Sequence, residues 1–228
     1  MTHTYKYEFV DGHIIAVVDQ VRFLIDTGAP FSVADASPIE FAGGSYRAQK
    51  TYMGISPESL STSVGTSIDA LVGADILNRY DIFIDSTTQT LDVSENELPL
   101  AGQALDLDDV MGIPIVEVMF GEDKVRMFFD TGAKLSYLDP ERINGFESVG
   151  TETDFYPGFG EFSTNVYNIP IMLAAETVAL RVGILPALLQ MSLMMADTGG
   201  ILGTAILHTH KVIFAPRRKT LTLQRISE

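Results

Sequence analysis

"FLIDTGAPFSV" (residues 23–33) runs an apolar, strand-like segment straight into an aspartate, a threonine and a glycine, and "MFFDTGAKLSY" (127–137) does the same again. Extending both outward gives "VRFLIDTGAPFSVAD" (21–35) and "VRMFFDTGAKLSYLD" (125–139), identical at eight of fifteen positions at an offset of 104. The same offset carries Tyr52 and Gly54 of "TYMGIS" onto Tyr156 and Gly158 of "FYPGFG". Farther on, "LVGADILNRYDIFIDSTTQTLDV" (71–93) matches "ILGTAILHTHKVIFAPRRKTLTL" (201–223) at an offset of 130, which pairs Gly73 with Gly203, Ile76 with Ile206 and Leu77 with Leu207. Three matches in one order mean an internal duplication. The second copy carries 26 extra residues between Gly158 and Gly203.

Each copy reads as mostly β. "TYKYEFV", "HIIAVV" and "VRFLI" are short β-branched or aromatic runs parted by turn signals, and "GIPIVEVMF" and "VRMFF" repeat the pattern. "YDIFIDSTTQTLDV" and "HKVIFAPRRKTLTL" read as hairpins, each preceded by a short helix in "ADILNRY" or "TAILHTH". The expected division is a first unit at 1–97, a linker at 98–111 inside the polar, acidic stretch 94–112, and a second unit at 112–228. The insertion includes "ILPALLQMSLMM" (184–195), apolar on nearly every face and expected as a buried helix whose methionines fill gaps, the alternative being an adaptable wall of a binding cleft or a partner surface.

A carboxylate at the end of a buried strand is costly unless something offsets it. If the duplication is a pseudo-twofold one, Asp26 and Asp130 are symmetry mates that meet at the axis. Two carboxylates about 3 Å apart cannot both ionise, so they share one proton and titrate as a pair. One then acts as general base toward a water while its protonated partner polarises a carbonyl. That chemistry hydrolyses an amide without metal, serine or cysteine.

The doubled "DTGA", each copy followed by an apolar-apolar-glycine segment ("LVG", "ILG"), resembles the aspartic proteases of the pepsin and retropepsin superfamily. "LIDTGA", "FFDTGA" and "LVGADILNRYDIFID" are closer to the retroviral and retrotransposon type than to pepsins. The resemblance spans essentially the whole chain, one protease unit per half. It implies an all-β fold of two pseudo-twofold-related β-barrel lobes with short helices and the active site between them. By motif it makes Asp26 and Asp130 catalytic. Thr27 and Thr131 would lock the loops across the lobes, Gly28 and Gly132 would approach the carboxylates, and Ala29 and Ala133 complete the loops. Tyr52, Met53, Gly54, Tyr156, Pro157 and Gly158 would form two flap hairpins over an extended polypeptide substrate. A monomer, as an intramolecular pseudo-dimer, is expected. The family pattern is departed from in the insertion, and with the 25 residues ahead of Asp26 needed as strands, no pro-segment is expected among them. Pepsins usually carry Ser or Thr where this chain has Ala29 and Ala133; without that hydroxyl the pair titrates higher, so an optimum of about pH 4–6 is expected.

Composition narrows the alternatives. The 228 residues are 46% apolar, enough for a sizeable core, and 30 acidic against 15 basic residues give a net charge of −15. That disfavours nucleic acid and anionic membranes as partners. No cysteine is present, which excludes disulfides and thiol chemistry. No secretory signal or long apolar span is visible, so the cytoplasm is the expected compartment. His3, His13, His208 and His210 show no metal spacing and are expected at the surface or at helix ends; no metal or cofactor is expected. A third copy, Asp197-Thr198-Gly199, lies outside the repeat and reads as a turn. The rival to an endopeptidase is a peptide-binding or scaffold protein on the same fold, without turnover.

Overall fold

The computed structural model describes residues 1–156 and 159–226. It is mostly β, built around one large, partly ringed sheet. Among the described residues no helix is long and apolar enough to cross a membrane.

The duplication is visible in the strand pairing. In the first half, Val21–Ile25 runs parallel to Ala70–Val72, with Phe23 opposite Ala70 and Ile25 opposite Val72. In the second half, Asp123–Phe129 runs parallel to Gly200–Leu202, with Met127 opposite Gly200 and Phe129 opposite Leu202. These pairs differ by the same offsets, 104 on one strand and 130 on the other, that the sequence motifs show. Val33–Ala34 and Ser136–Leu138 then pair antiparallel with the far side of Ala70–Val72 and Gly200–Leu202. Each motif strand is thus wedged beside a buried three-residue strand, and its aspartate follows directly from that wedge.

The stretch expected as a linker, 98–111, is largely a strand. Gln103–Val110 pairs through its first four residues with Thr220–Arg225 and through its last four with Ile113–Phe120. Thr2–Val10 pairs in the same way with Thr90–Ser94 and His13–Val18, so Gln103–Val110 is its counterpart and opens the second repeat. Leu105 and Leu107 are buried while Asp106, Asp108 and Asp109 point outward. The period-two alternation of a half-buried strand is there; its acidic outer face gives the segment the composition of a linker.

The methionine-rich segment is also corrected. Ala187–Met195 is a helix, but Leu189 is its only buried residue, and Leu188, Met191, Met194 and Met195 are exposed. It is not inserted material either. It stands 130 residues after Pro57–Val64, a helix that occupies the same place in the first half. The extra residues are used instead by the long strands Gly160–Leu173 and Glu176–Gly183, which pair with each other and, through Gly160–Leu173, with Ser148–Tyr156. The Pro57–Val64 helix was not expected, although its start is written in the sequence. Ser56 caps it by accepting from the Ser59 amide, and Pro57 takes the first turn, where its missing N–H costs nothing.

The halves are joined directly. Asp81–Asp85 pairs antiparallel with His210–Ala215, setting Ile82 opposite Phe214 and Ile84 opposite Val212. Lys211 Nζ donates to Asp85 Oδ2 at 2.8 Å beside that seam. The largest apolar cluster draws buried residues from both halves, among them Ile14, Ile82, Phe129 and Phe214.

Candidate active site

Val72 O accepts from the Asp26 amide and Leu202 O from the Asp130 amide, each at 3.0 Å, so the two aspartates leave their strands at equivalent points. The loops that follow are held by matched bonds. Ala29 O accepts from the Ala74 amide and Ala133 O from the Thr204 amide, both at 2.8 Å. Ser32 Oγ accepts from the Gly73 amide at 2.9 Å, and Ser136 Oγ from the Gly203 amide at 3.2 Å. The two serines are identical in the repeat, and that identity is the signal that could have found this role.

Thr27 and Thr131 tie the loops to one another. Each backbone N–H donates to the other's Oγ1 at 3.0 Å. Each hydroxyl donates onward across the interface, Thr27 to Phe129 O at 2.7 Å and Thr131 to Ile25 O at 2.8 Å. Both side chains are buried, where four satisfied bonds with no competing water hold the register of the two loops firmly.

Gly28 and Gly132 sit against the opposite carboxylates. A β-carbon at Gly28 would fall 2.3 Å from Asp130 Cγ, and one at Gly132 would fall 2.5 Å from Asp26 Cγ. Here glycine is required for close approach. Asp26 Oδ1 accepts from the Gly28 and Ala29 amides at 2.9 Å each, whereas Asp130 Oδ1 accepts from Gly132 alone at 2.8 Å. Each carboxylate acts on the other's titration. Burial, and then the charge of Asp130, push Asp26 well above the ordinary carboxylate range. Burial also pushes Asp130 up, against the Gly132 amide and the Asp26 side chain, which favour its ionised form. The pair therefore keeps a shared proton at a pH where an isolated aspartate has lost it.

Both carboxylates open into one cleft of about 190 Å³. Leu24, Ile55, Leu60 and Tyr52 line it from the first half, and Tyr137, Phe162, Leu185 and Ile201 from the second. Its charged lining residues are Asp26, Asp130 and Asp154.

The two tyrosine-glycine segments differ. Tyr52 and Ile55 bond to each other's backbone across a tight turn in which Met53 and Gly54 have positive φ, and the Pro57–Val64 helix begins at once. No long hairpin forms there, because the capped helix takes the chain away from the turn. Tyr52 stacks edge-on to Phe31 at 5.3 Å and Met53 is exposed. In the second half Ser148–Tyr156 and Gly160–Leu173 make the expected hairpin; Tyr156 lines the cleft, while Pro157 and Gly158 lie outside the described residues. Burial and the two aspartates raise the Tyr156 phenol pKa.

Three further residues beside the aspartates were not expected. Tyr137 Oη donates to Asp154 Oδ2, and the Phe155 amide donates to Asp154 Oδ1 at 2.8 Å. Burial raises Asp154, against the Tyr137 hydrogen bond. His13, expected at the surface, is buried and stacks on Phe155 with ring centroids 5.8 Å apart. His210 is buried too, within 2.8 Å of Thr209 Oγ1 and 3.4 Å of Glu176. Both histidines lie at strand starts, where a ring can fold into the sheet. Asp197 stays apart from the cleft: its carboxylate is exposed on a turn with φ 53° and pairs with Arg126 at 2.9 Å. Among the described residues no cluster of three or more histidine, aspartate or glutamate side chains is placed to hold a metal ion.

No family model matches the chain, and no curated protein matches its sequence.

Proposed function

We propose that this chain is an aspartic endopeptidase of the retropepsin-like kind, with both protomer-equivalent units fused in one polypeptide. On this reading the two halves are pseudo-twofold-related β-barrel lobes and the cleft between them is the active site. The observation that carries it is the reciprocal pair of Asp-Thr-Gly loops, locked by Thr27 and Thr131 and bringing two half-buried carboxylates to one cleft.

A polypeptide lies extended across the loops, its backbone pairing with the turn at Tyr52–Gly54 and the hairpin carrying Tyr156. A water between Asp26 and Asp130 gives a proton to the ionised carboxylate as its oxygen bonds to the scissile carbonyl carbon. The protonated carboxyl gives its proton to the carbonyl oxygen, producing a neutral gem-diol. On collapse one hydroxyl returns its proton to the now ionised carboxylate, while the carboxyl that took the water proton passes it to the amide nitrogen. The C–N bond then breaks, leaving a carboxylic acid and an amine. The Thr27–Thr131 lock makes this possible by holding the two carboxylates in place before substrate arrives, so that little reorganisation is needed at the transition state.

Incubation with a diverse peptide library from pH 3 to 8, with cleavage sites mapped by mass spectrometry, tests the proposal. Internal cleavage that a statine-containing peptide blocks far more strongly than its plain counterpart is the expected result. Absence of cleavage across that range, with no preference for the statine peptide, would overturn it.

A further inference from the structure

The duplication is broken where the cleft meets Tyr137 and Asp154. At the offset of 104 their counterparts are Val33, buried in the apolar wall of the first half, and Lys50, exposed at the surface. The wall that the first half presents, Leu24, Ile55 and Leu60 with Tyr52 at its edge, carries no carboxylate besides Asp26. The second half sets Leu185, Ile201 and Phe162 beside a phenol and a carboxylate.

His13 deepens the asymmetry. It is the first strand residue after the Asp11–Gly12 turn, as Ile113 is after the Met111–Gly112 turn, and all four turn residues have positive φ. An imidazole therefore stands where the other half has an isoleucine. It is 1% exposed, and among the described residues neither ring nitrogen has a hydrogen-bond partner.

Asp154 is 7% exposed, yet among the described residues it accepts only two hydrogen bonds, one from Tyr137 and one from Phe155. A carboxylate offers about four lone-pair sites. No lysine or arginine among the described residues pairs with it; nearby Lys134 is engaged by Asp11 at 3.2 Å and Glu152 at 3.9 Å. A buried carboxylate with spare acceptor capacity, facing a cavity, is costly unless a donor fills that cavity.

We propose that the wall built by Tyr137 and Asp154 is a specificity subsite for a lysine side chain of the substrate, and that the opposite wall takes an apolar one. The proposal rests on the peptide-hydrolase reading of the same cleft. Lysine fits both parts of the wall, its methylenes lying along Leu185, Ile201 and Phe162 while its ammonium reaches Asp154. The resulting charge-assisted bond uses the acceptor sites that Tyr137 and Phe155 leave free. A hydrocarbon side chain of equal length fills the same space but leaves Asp154 desolvated without a donor, so it is rejected. The net negative charge of the lining carboxylates adds long-range attraction for a cationic peptide.

The test uses fluorescein-labelled peptides that differ only by lysine or norleucine at each residue flanking the scissile position. Binding is read by anisotropy near neutral pH on the Asp130→Asn protein, where turnover does not interfere. Lysine should bind at least about 10-fold tighter than norleucine at one position and not at the other. Adding Asp154→Asn should erase that preference, and Asp154→Leu should reverse it. Equal or tighter norleucine binding at every position would overturn the subsite, as would a lysine preference that survives Asp154→Asn in a protein of unchanged Tm. The lysine–norleucine comparison alone decides the matter if the Asp154 variants fold poorly. Wild-type cleavage of the same peptides separates the two readings. Lysine-selective binding with no cleavage would remove the hydrolase and leave the subsite; cleavage without lysine preference would do the opposite.

Discussion

Asp26 and Asp130 sit half-buried side by side at a cost to the fold, and that cost makes their role testable at the level of single atoms. Asp26→Asn or Asp130→Asn should lower peptide cleavage by at least about 10³-fold, since each removes half of one acid–base unit. Asp197→Asn, on an exposed turn outside the cleft, should leave activity within a few-fold. Initial rates on one library-derived peptide check both. Stability should move the other way. Both carboxylates are raised above their ordinary values by burial. The folded state therefore holds protons that the unfolded state has released above pH ~3.9. The stability associated with the pair is greatest below that unfolded value and falls as pH rises through the raised folded one. Asp26→Asn should thus melt above wild type at pH 8, with the gap closing toward pH 4; a constant gap in a calorimetric pH series would contradict the raised titration. The chain also lacks a hydroxyl at Ala29 and Ala133. Ala29→Ser with Ala133→Ser should shift the acidic limb of the pH–kcat/KM profile downward by up to about one unit, the equivalent of one hydrogen bond.

Elements, rather than single side chains, shape the walls of the cleft. The Pro57–Val64 helix places Leu60 in the lining and packs Val64 behind it. Its first turn depends on Ser56, whose hydroxyl accepts from Ser59. Ser56→Ala should therefore destabilise the protein by about 0.5–2 kcal/mol, and it should raise KM more than it lowers kcat because the loosened element binds substrate without touching the carboxylates. Thermal melts and steady-state kinetics together check this. The same helix shows why the first tyrosine-glycine segment is only a turn: a strong N-terminal cap three residues beyond Met53 competes with hairpin formation and prevails. The segment's sequence spacing matched that of Tyr156–Gly158, but spacing does not report what the following residues do to the chain direction.

Across the molecule, each half supplies one carboxylate and neither half closes the sheet alone. The seam between Asp81–Asp85 and His210–Ala215, with the shared core beneath it, ties the two sites of the duplication into one unit. Specific activity should accordingly stay flat on dilution, with light scattering reporting a monomer; a loss of activity that tracked dissociation of a dimer would contradict it. A fragment ending at Glu97 should associate or aggregate, because the edge of Asp81–Asp85 is left unpaired. The sequence alone determined the duplication, the β character, the motif strands and the aspartates, since backbone periodicity and a repeated loop are local properties that survive in one dimension. It misread Gln103–Val110 as a linker because outward acids dominate its composition. It placed Ala187–Met195 in the core because apolar content does not say which neighbour is present to cover it. The cross-loop bonds of Thr27 and Thr131 were expected from the motif, but tertiary structure alone decided that His13, Tyr137 and Asp154 converge beside Asp130. Convergence of that kind depends on how distant strands close around a shared core, where packing and desolvation are set by residues that no local pattern connects.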